Sequence, residues 1–125
     1  MWQAITRSSA GTAATASVPV SPNPFYQTRL RSLYCTLEGP AGGSGTLVVR
    51  DGATGAGTIV FHSTINLPGS GIGIVNRTNI DIRMTTGNVL TVEFLAGTAS
   101  DFQSVNAQGD YIPHGIPYGA TPTGE

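Results

Sequence analysis

Apolar and polar residues alternate with a period of two in the middle of this chain, in short bursts separated by glycine, proline and asparagine. Between Arg29 and Glu38, Leu33, Cys35 and Leu37 fall on one side while Ser32, Tyr34 and Thr36 fall on the other, as in a half-buried strand. Residues 46–50 (TLVVR) form a second candidate strand, closed by the turn signal Asp51-Gly52. Residues 58–64 set Ile59 and Phe61 against Val60 and His62, and residues 72–75 make a weaker candidate. Ile80, Ile82 and Met84 then alternate with Asp81, Arg83 and Thr85, and Leu90, Val92 and Phe94 with Thr91 and Glu93. Gly87-Asn88 between these last two runs suits a two-residue hairpin loop, which would face Arg83 with Glu93. No window carries a helical period. Short strands at this spacing predict an all-β fold, a single antiparallel β-sandwich or jelly roll.

The alternation is confined to the middle, which divides the chain into an N-terminal arm (1–24), a β-sandwich core (25–97) and an extended C-terminal tail (98–125). Within residues 1–17 the large apolar residues are Trp2 and Ile5, followed by the small, polar run SSAGTAATAS. Val18 and Val20 flank Pro19 and suit a short edge segment, since proline cannot donate to a central ladder. SPNP at 21–24 makes a turn. Beyond Gly97, Phe102 and Val105 supply at most one short element. The stretch YIPHGIPY at 111–118 is extended by its prolines and loses little entropy on docking. Ends of this composition bury too little apolar surface to offset their own ordering. They are therefore expected to be held by a neighbour, with Trp2, Ile5, Tyr111, Ile112, His114, Ile116 and Tyr118 as partner-binding residues. Docking back onto the chain's own sandwich is the alternative.

Composition strengthens the case for partners. Charged residues make up 10% of the 125, against about 25% in ordinary soluble proteins. Lysine is absent, and six arginines supply all the cations. A free-standing β protein guards its sheet edges with lysine and other charges, so few guards imply a surface largely covered by other subunits. A net charge of −1 gives no basic stripe for nucleic acid. No apolar run reaches membrane-spanning length. The N-terminus lacks an apolar signal core, which implies synthesis and retention in a cytoplasm. The single cysteine, Cys35, falls in a Leu-x-Cys-x-Leu pattern that argues for burial as a small hydrophobe.

No catalytic, metal or cofactor motif is present. His62 and His114 lie far apart, neither near a cysteine or paired carboxylate at ligand spacing. The seven acids are scattered, whereas a glycosidase needs two on facing elements. Gly42, Gly43 and Gly45 lack the lysine and helix of a phosphate loop.

Three segments carry a family likeness: TRLRSLYC opening a strand, then GGSGTLVVRDGATGAGTIVF, then NIDIRMTTGNVLTVEF. In that order they resemble the small all-β accessory structural proteins of tailed-phage virions, over about half of the chain. The preceding SVPVSPNP after an Ala/Thr-rich arm is similar too. The resemblance implies a capsid decoration (cement) protein, made in the host cytoplasm and seated on the capsid surface. Its implied partners are the major capsid protein and copies of itself, as a trimer; neither nucleic acid nor membrane is implied. It offers no catalytic residues. A tail, neck or fibre component of the same virion is the nearest rival, and a carbohydrate-binding module a more distant one.

Overall fold

The computed structural model describes residues 3–12, 14–95, 98 and 101–115. Among these residues it contains nine strands: β1 (Gln3–Gly11), β2 (Thr15–Val18), β3 (Tyr26–Glu38), β4 (Ser44–Asp51), β5 (Thr58–Asn66), β6 (Ile72–Arg77), β7 (Ile82–Arg83), β8 (Leu90–Phe94) and β9 (Phe102–Pro113). The pairing is nested. β4 pairs with β5, β3 with β6, β2 with β8 and β1 with β9, all antiparallel, as in one long hairpin. That hairpin rolls up, so that β9 also pairs with β3 and β8 with β4. The result is one sheet in the order β1-β9-β3-β6, with the short β7 continuing the β6 edge of β3, and a second sheet in the order β2-β8-β4-β5. This is a double-sheet jelly roll, in which paired hairpin strands are wound across two facing sheets.

The alternation seen in the sequence is the inner face of each sheet. Leu33, Cys35 and Leu37 of β3 pack against Leu47 and Val49 of β4 and Leu90, Val92 and Phe94 of β8 in one buried cluster. Burial of each such side chain is worth about 1.5–3 kcal/mol.

Three expectations need correction. Residues of the expected arm form β1 and β2, each built into a sheet edge. The expected tail contains β9, an interior strand between β1 and β3. Its inward residues include Val105, Ala107 and Gly109, small side chains whose alternation is faint in the sequence although the backbone is paired on both sides. Third, the expected hairpin around Gly87-Asn88 does not form: β7 joins the first sheet and β8 the second. The connection crosses between sheets at a clamp. The Asp51 carboxylate accepts bonds from the Thr85 N–H and hydroxyl and from the Asn88 amide, so the turn is tied to β4. Accordingly Arg83 does not meet Glu93; it pairs with Asp81, and Glu93 pairs with Arg50.

Candidate functional site

The two outer faces of the sandwich differ. On the β2-β8-β4-β5 sheet, the Gly52–Gly57 loop folds back over the outward residues. Glu93 accepts a bond from Arg50 Nε at 2.5 Å and from the Gly55 N–H at 3.0 Å. Arg50 also donates to the Gly57 carbonyl, and the Thr91 hydroxyl to that of Gly52. Val48, Thr91 and Glu93 are buried as a result, although their alternation marks them as outward. Such closure requires Gly52 and Gly57 to approach each other so tightly that a Cβ on either would meet the other's backbone. Beside this loop lies a cleft of ≈ 490 Å³, lined by residues that include Thr12, Thr15, Arg50, Glu93 and Gln103. Its carboxylate is already engaged, and the Gln103 carbonyl oxygen accepts the Ala14 N–H at 3.0 Å. These groups are suited to holding the loop and the β1–β2 connection in place.

The other outer face is open over the Ser32–Glu38 part of β3 and its neighbours, whereas Arg29, Asp110 and Ile112 of the same sheet are buried. Along β3, Ser32, Tyr34, Thr36 and Glu38 point outward. Register places Gln108, Asn106, Ser104 and Phe102 of β9 beside them, and Asn76, Ile74 and Ile72 of β6 beside the last three. Tyr34 is 43% exposed, Ile72 49%, Ile74 56% and Phe102 41%. Within these rows Glu38 carries the one charge. Some of the polar groups bond within the sheet: the Thr36 hydroxyl with that of Ser104 at 2.7 Å, the Ser32 hydroxyl to the Gln108 side-chain oxygen at 3.1 Å, and the Asn106 side-chain amide to the Tyr34 backbone carbonyl at 3.2 Å. Covering this face would take four large apolar side chains out of water together with the Glu38 carboxylate, the Tyr34 hydroxyl and the Asn76 amide, the mixture of apolar and polar groups found at interaction surfaces. It is chemically a docking surface.

The expected partner-binding residues fall elsewhere. Trp2, Ile116 and Tyr118 lie outside the described residues. Ile5 is on β1, with its backbone opposite Gly109. Tyr111 and Ile112 are buried within this chain, which corrects their assignment as anchors for a partner. The Tyr111 hydroxyl donates to the Pro19 carbonyl at 3.0 Å, and Ile112 is paired with Gln27. Their aromatic and β-branched character serves β9, not a neighbour. His114 is exposed, and its N–H donates to the Phe25 carbonyl. Phe25 itself is 76% exposed. The sequence signal for it was an aromatic directly after the SPNP turn, outside any alternating run. Ile72 and Ile74 were legible as a strand, but not as a free edge. Among the described residues, no group of three or more His, Cys, Asp and Glu side chains is placed to hold a metal ion.

Cys35 is fully buried, and burial pushes its thiol up to about 11, opposed by a backbone hydrogen bond from Asn106. Because the neutral thiol is favoured in the fold, the unfolded chain loses its proton first as pH rises. The stabilisation is complete below about pH 9 and is lost between about pH 9 and 11, by roughly 2–3 kcal/mol. Urea midpoints measured across this range should fall in the wild type. The fall should be shallower in Cys35→Ala; equal slopes would place the titration elsewhere.

No protein-family model matches the chain, and no curated protein sequence matches it. Among solved structures, it is similar to the Tobacco streak virus coat protein, with 14% identity over 94% of this chain and 90% of that one and a TM-score of 0.42. It is also similar to a Tomato Aspermy Virus structure, with 10% identity over 98% of this chain and 81% of that one and a TM-score of 0.37. A nora virus structure matches with 10% identity over 99% of this chain and 61% of that one, with a TM-score of 0.32. The assignment as a jelly roll rests on the strand order itself.

Proposed function

We propose that this chain is a structural subunit of a virus particle, and more narrowly a decoration (cement) protein that binds the outside of a tailed-phage head and bridges its capsid subunits. The observation that carries this reading is the open sheet face bearing Tyr34, Ile72, Ile74 and Phe102 around a single charge. Double-sheet jelly rolls serve as viral shell subunits, lectins and cupins. An extended, weakly charged surface of this kind favours the first, since a lectin or cupin works through a concave ligand site, and the polar groups of the one cleft described above are already engaged within the chain. The absence of lysine and the 10% charged composition point the same way. So does the resemblance of the TRLRSLYC, GGSGTLVVRDGATGAGTIVF and NIDIRMTTGNVLTVEF segments to phage accessory proteins.

The mechanism is binding without reaction. Each contact is modest, but a subunit that touches several capsid proteins at once gains avidity from effective concentration, and so resists outward pressure on the shell. Counting copies of the chain in purified particles tests this. A number comparable to that of the major shell protein supports the capsid-surface role, and a single ring's worth moves the chain to the tail or neck. Absence from particles overturns the virion reading.

A further inference from the structure

The β6 edge has a geometry that specifies its own partner. β6 pairs with β3 on one side, and among the described residues no strand pairs with its other side. Which backbone groups face that open side follows from the ladder. The Gly39 N–H donates to the Gly71 carbonyl at 2.9 Å, in register with the Glu38–Ile72 pair. Bonded and non-bonded pairs alternate in an antiparallel ladder, so Leu37–Gly73 and Cys35–Val75 are the bonded pairs of β3 and β6. The N–H and C=O groups of Ile72, Ile74 and Asn76 therefore point away from β3, into the open edge.

The charge on this edge strand is confined to its last residue, Arg77. The edge contains no proline, lysine or inward charge between Ile72 and Asn76, and Ile72 and Ile74 stand exposed on it. Edges of that kind template strand addition. We propose that β6 pairs with β6 of a second copy of this chain, antiparallel about a two-fold axis through Ile74. In that register Ile74 faces Ile74 of the partner copy, and Ile72 faces Asn76 in both directions. All three are bonded pairs, which supplies up to six main-chain hydrogen bonds, and inward Val75 lies opposite inward Gly73. The pairing is self-complementary, as a two-fold contact must be. It is also free of like-charge conflict, because Arg77 faces Gly71 and the two Glu38 carboxylates lie three strands apart. The joined edges make one continuous sheet whose outer face carries both copies of Tyr34, Ile72, Ile74 and Phe102. This dimer deepens the proposed role by doubling the docking surface, yet it does not depend on what the surface docks to.

Sedimentation velocity over a concentration series, with circular dichroism to verify folding, tests the contact on the full chain. Wild type should show a monomer–dimer equilibrium, and Ile74→Lys should raise its Kd by about tenfold or more, since it places two like charges directly opposite each other. Ile74→Cys provides the second arm. Bonded antiparallel pairs sit about 5.5 Å apart at Cα, within the span of a disulfide, so mild oxidation should give a covalent dimer at this position and not in Ile72→Cys. Cys35 is buried and does not compete. A wild type that stays monomeric, or a dimer that is indifferent to Ile74→Lys and does not cross-link through Ile74→Cys, overturns the proposal. Either result leaves the particle copy number, and with it the proposed function, to be decided separately.

Discussion

Replacing Asp110 by alanine is expected to destabilise the fold by about 3–5 kcal/mol, enough to unfold a marginal domain of this size. Asp110 and Arg29 are fully buried neighbours on β9 and β3, joined by two parallel bonds, Nε to Oδ1 at 2.9 Å and Nη2 to Oδ2 at 2.7 Å. A second fork, Arg83 to Asp81, stands beside them at 2.9 and 3.0 Å, and Arg29 Nη1 lies 3.9 Å from Asp81. Removing the Asp110 carboxylate takes from the fully buried Arg29 its two-bond partner, and the desolvation of the guanidinium is then no longer offset. Removing both partners restores most of the balance, because neither charge is then left buried alone. Chemical denaturation of Arg29→Ala, Asp110→Ala, Asp110→Asn and the double variant Arg29→Met/Asp110→Leu should therefore show non-additivity, with the double variant more stable than either alanine variant. Additive losses would mean that the pair contributes only packing.

Gly109→Ala is expected to be comparably damaging, at about 3 kcal/mol or more. The register between β3 and β9 slips by one residue between Leu30 and Ser32, leaving Arg31 as the extra residue. The bulged strand presses its backbone onto Gly109, where an added Cβ would overlap the Arg29 carbonyl oxygen and crowd the Leu30 Cα. Backbone on an interior strand cannot step aside as a flexible side chain can. Gly69→Ala, at a site with open space around it, should stay within about 0.5 kcal/mol of wild type. If thermal melts show the two substitutions to be equivalent, β3 and β9 lie further apart than the structure places them.

Both predictions concern β9, the strand that local pattern conceals. In QSVNAQGDYI the inward positions are filled by Gln103, Val105, Ala107 and Gly109, which are small or polar. Gly109 is set by the close approach of the bulged β3 backbone and Gln103 by its bond to the Ala14 N–H, neither of which is a demand for apolar bulk. Asp110 reads as a solvent-facing acid until Arg29, 81 residues away, is placed beside it. The anchor assignment of Tyr111 and Ile112 failed for the same reason. Aromatic and β-branched residues next to proline suit a docking tail and an interior strand equally well, and only the long-range pairing of β9 separates the two.

What the linear chain determined alone is the part of the structure written in period two. The strands containing Leu33–Leu37, Leu47–Val49 and Leu90–Phe94, their inward faces, the burial of Cys35 and the all-β class all follow from local alternation, because each such strand buries one face regardless of which neighbour it meets. The tertiary structure decided which strands share a sheet, that β7 and β8 part company at the Asp51 clamp, that loop Gly52–Gly57 covers Thr91 and Glu93 on one outer face while the Ser32–Glu38 part of the other stays open, and that β6 ends a sheet. Those outcomes depend on contacts between residues far apart in sequence, whose geometry no local pattern encodes.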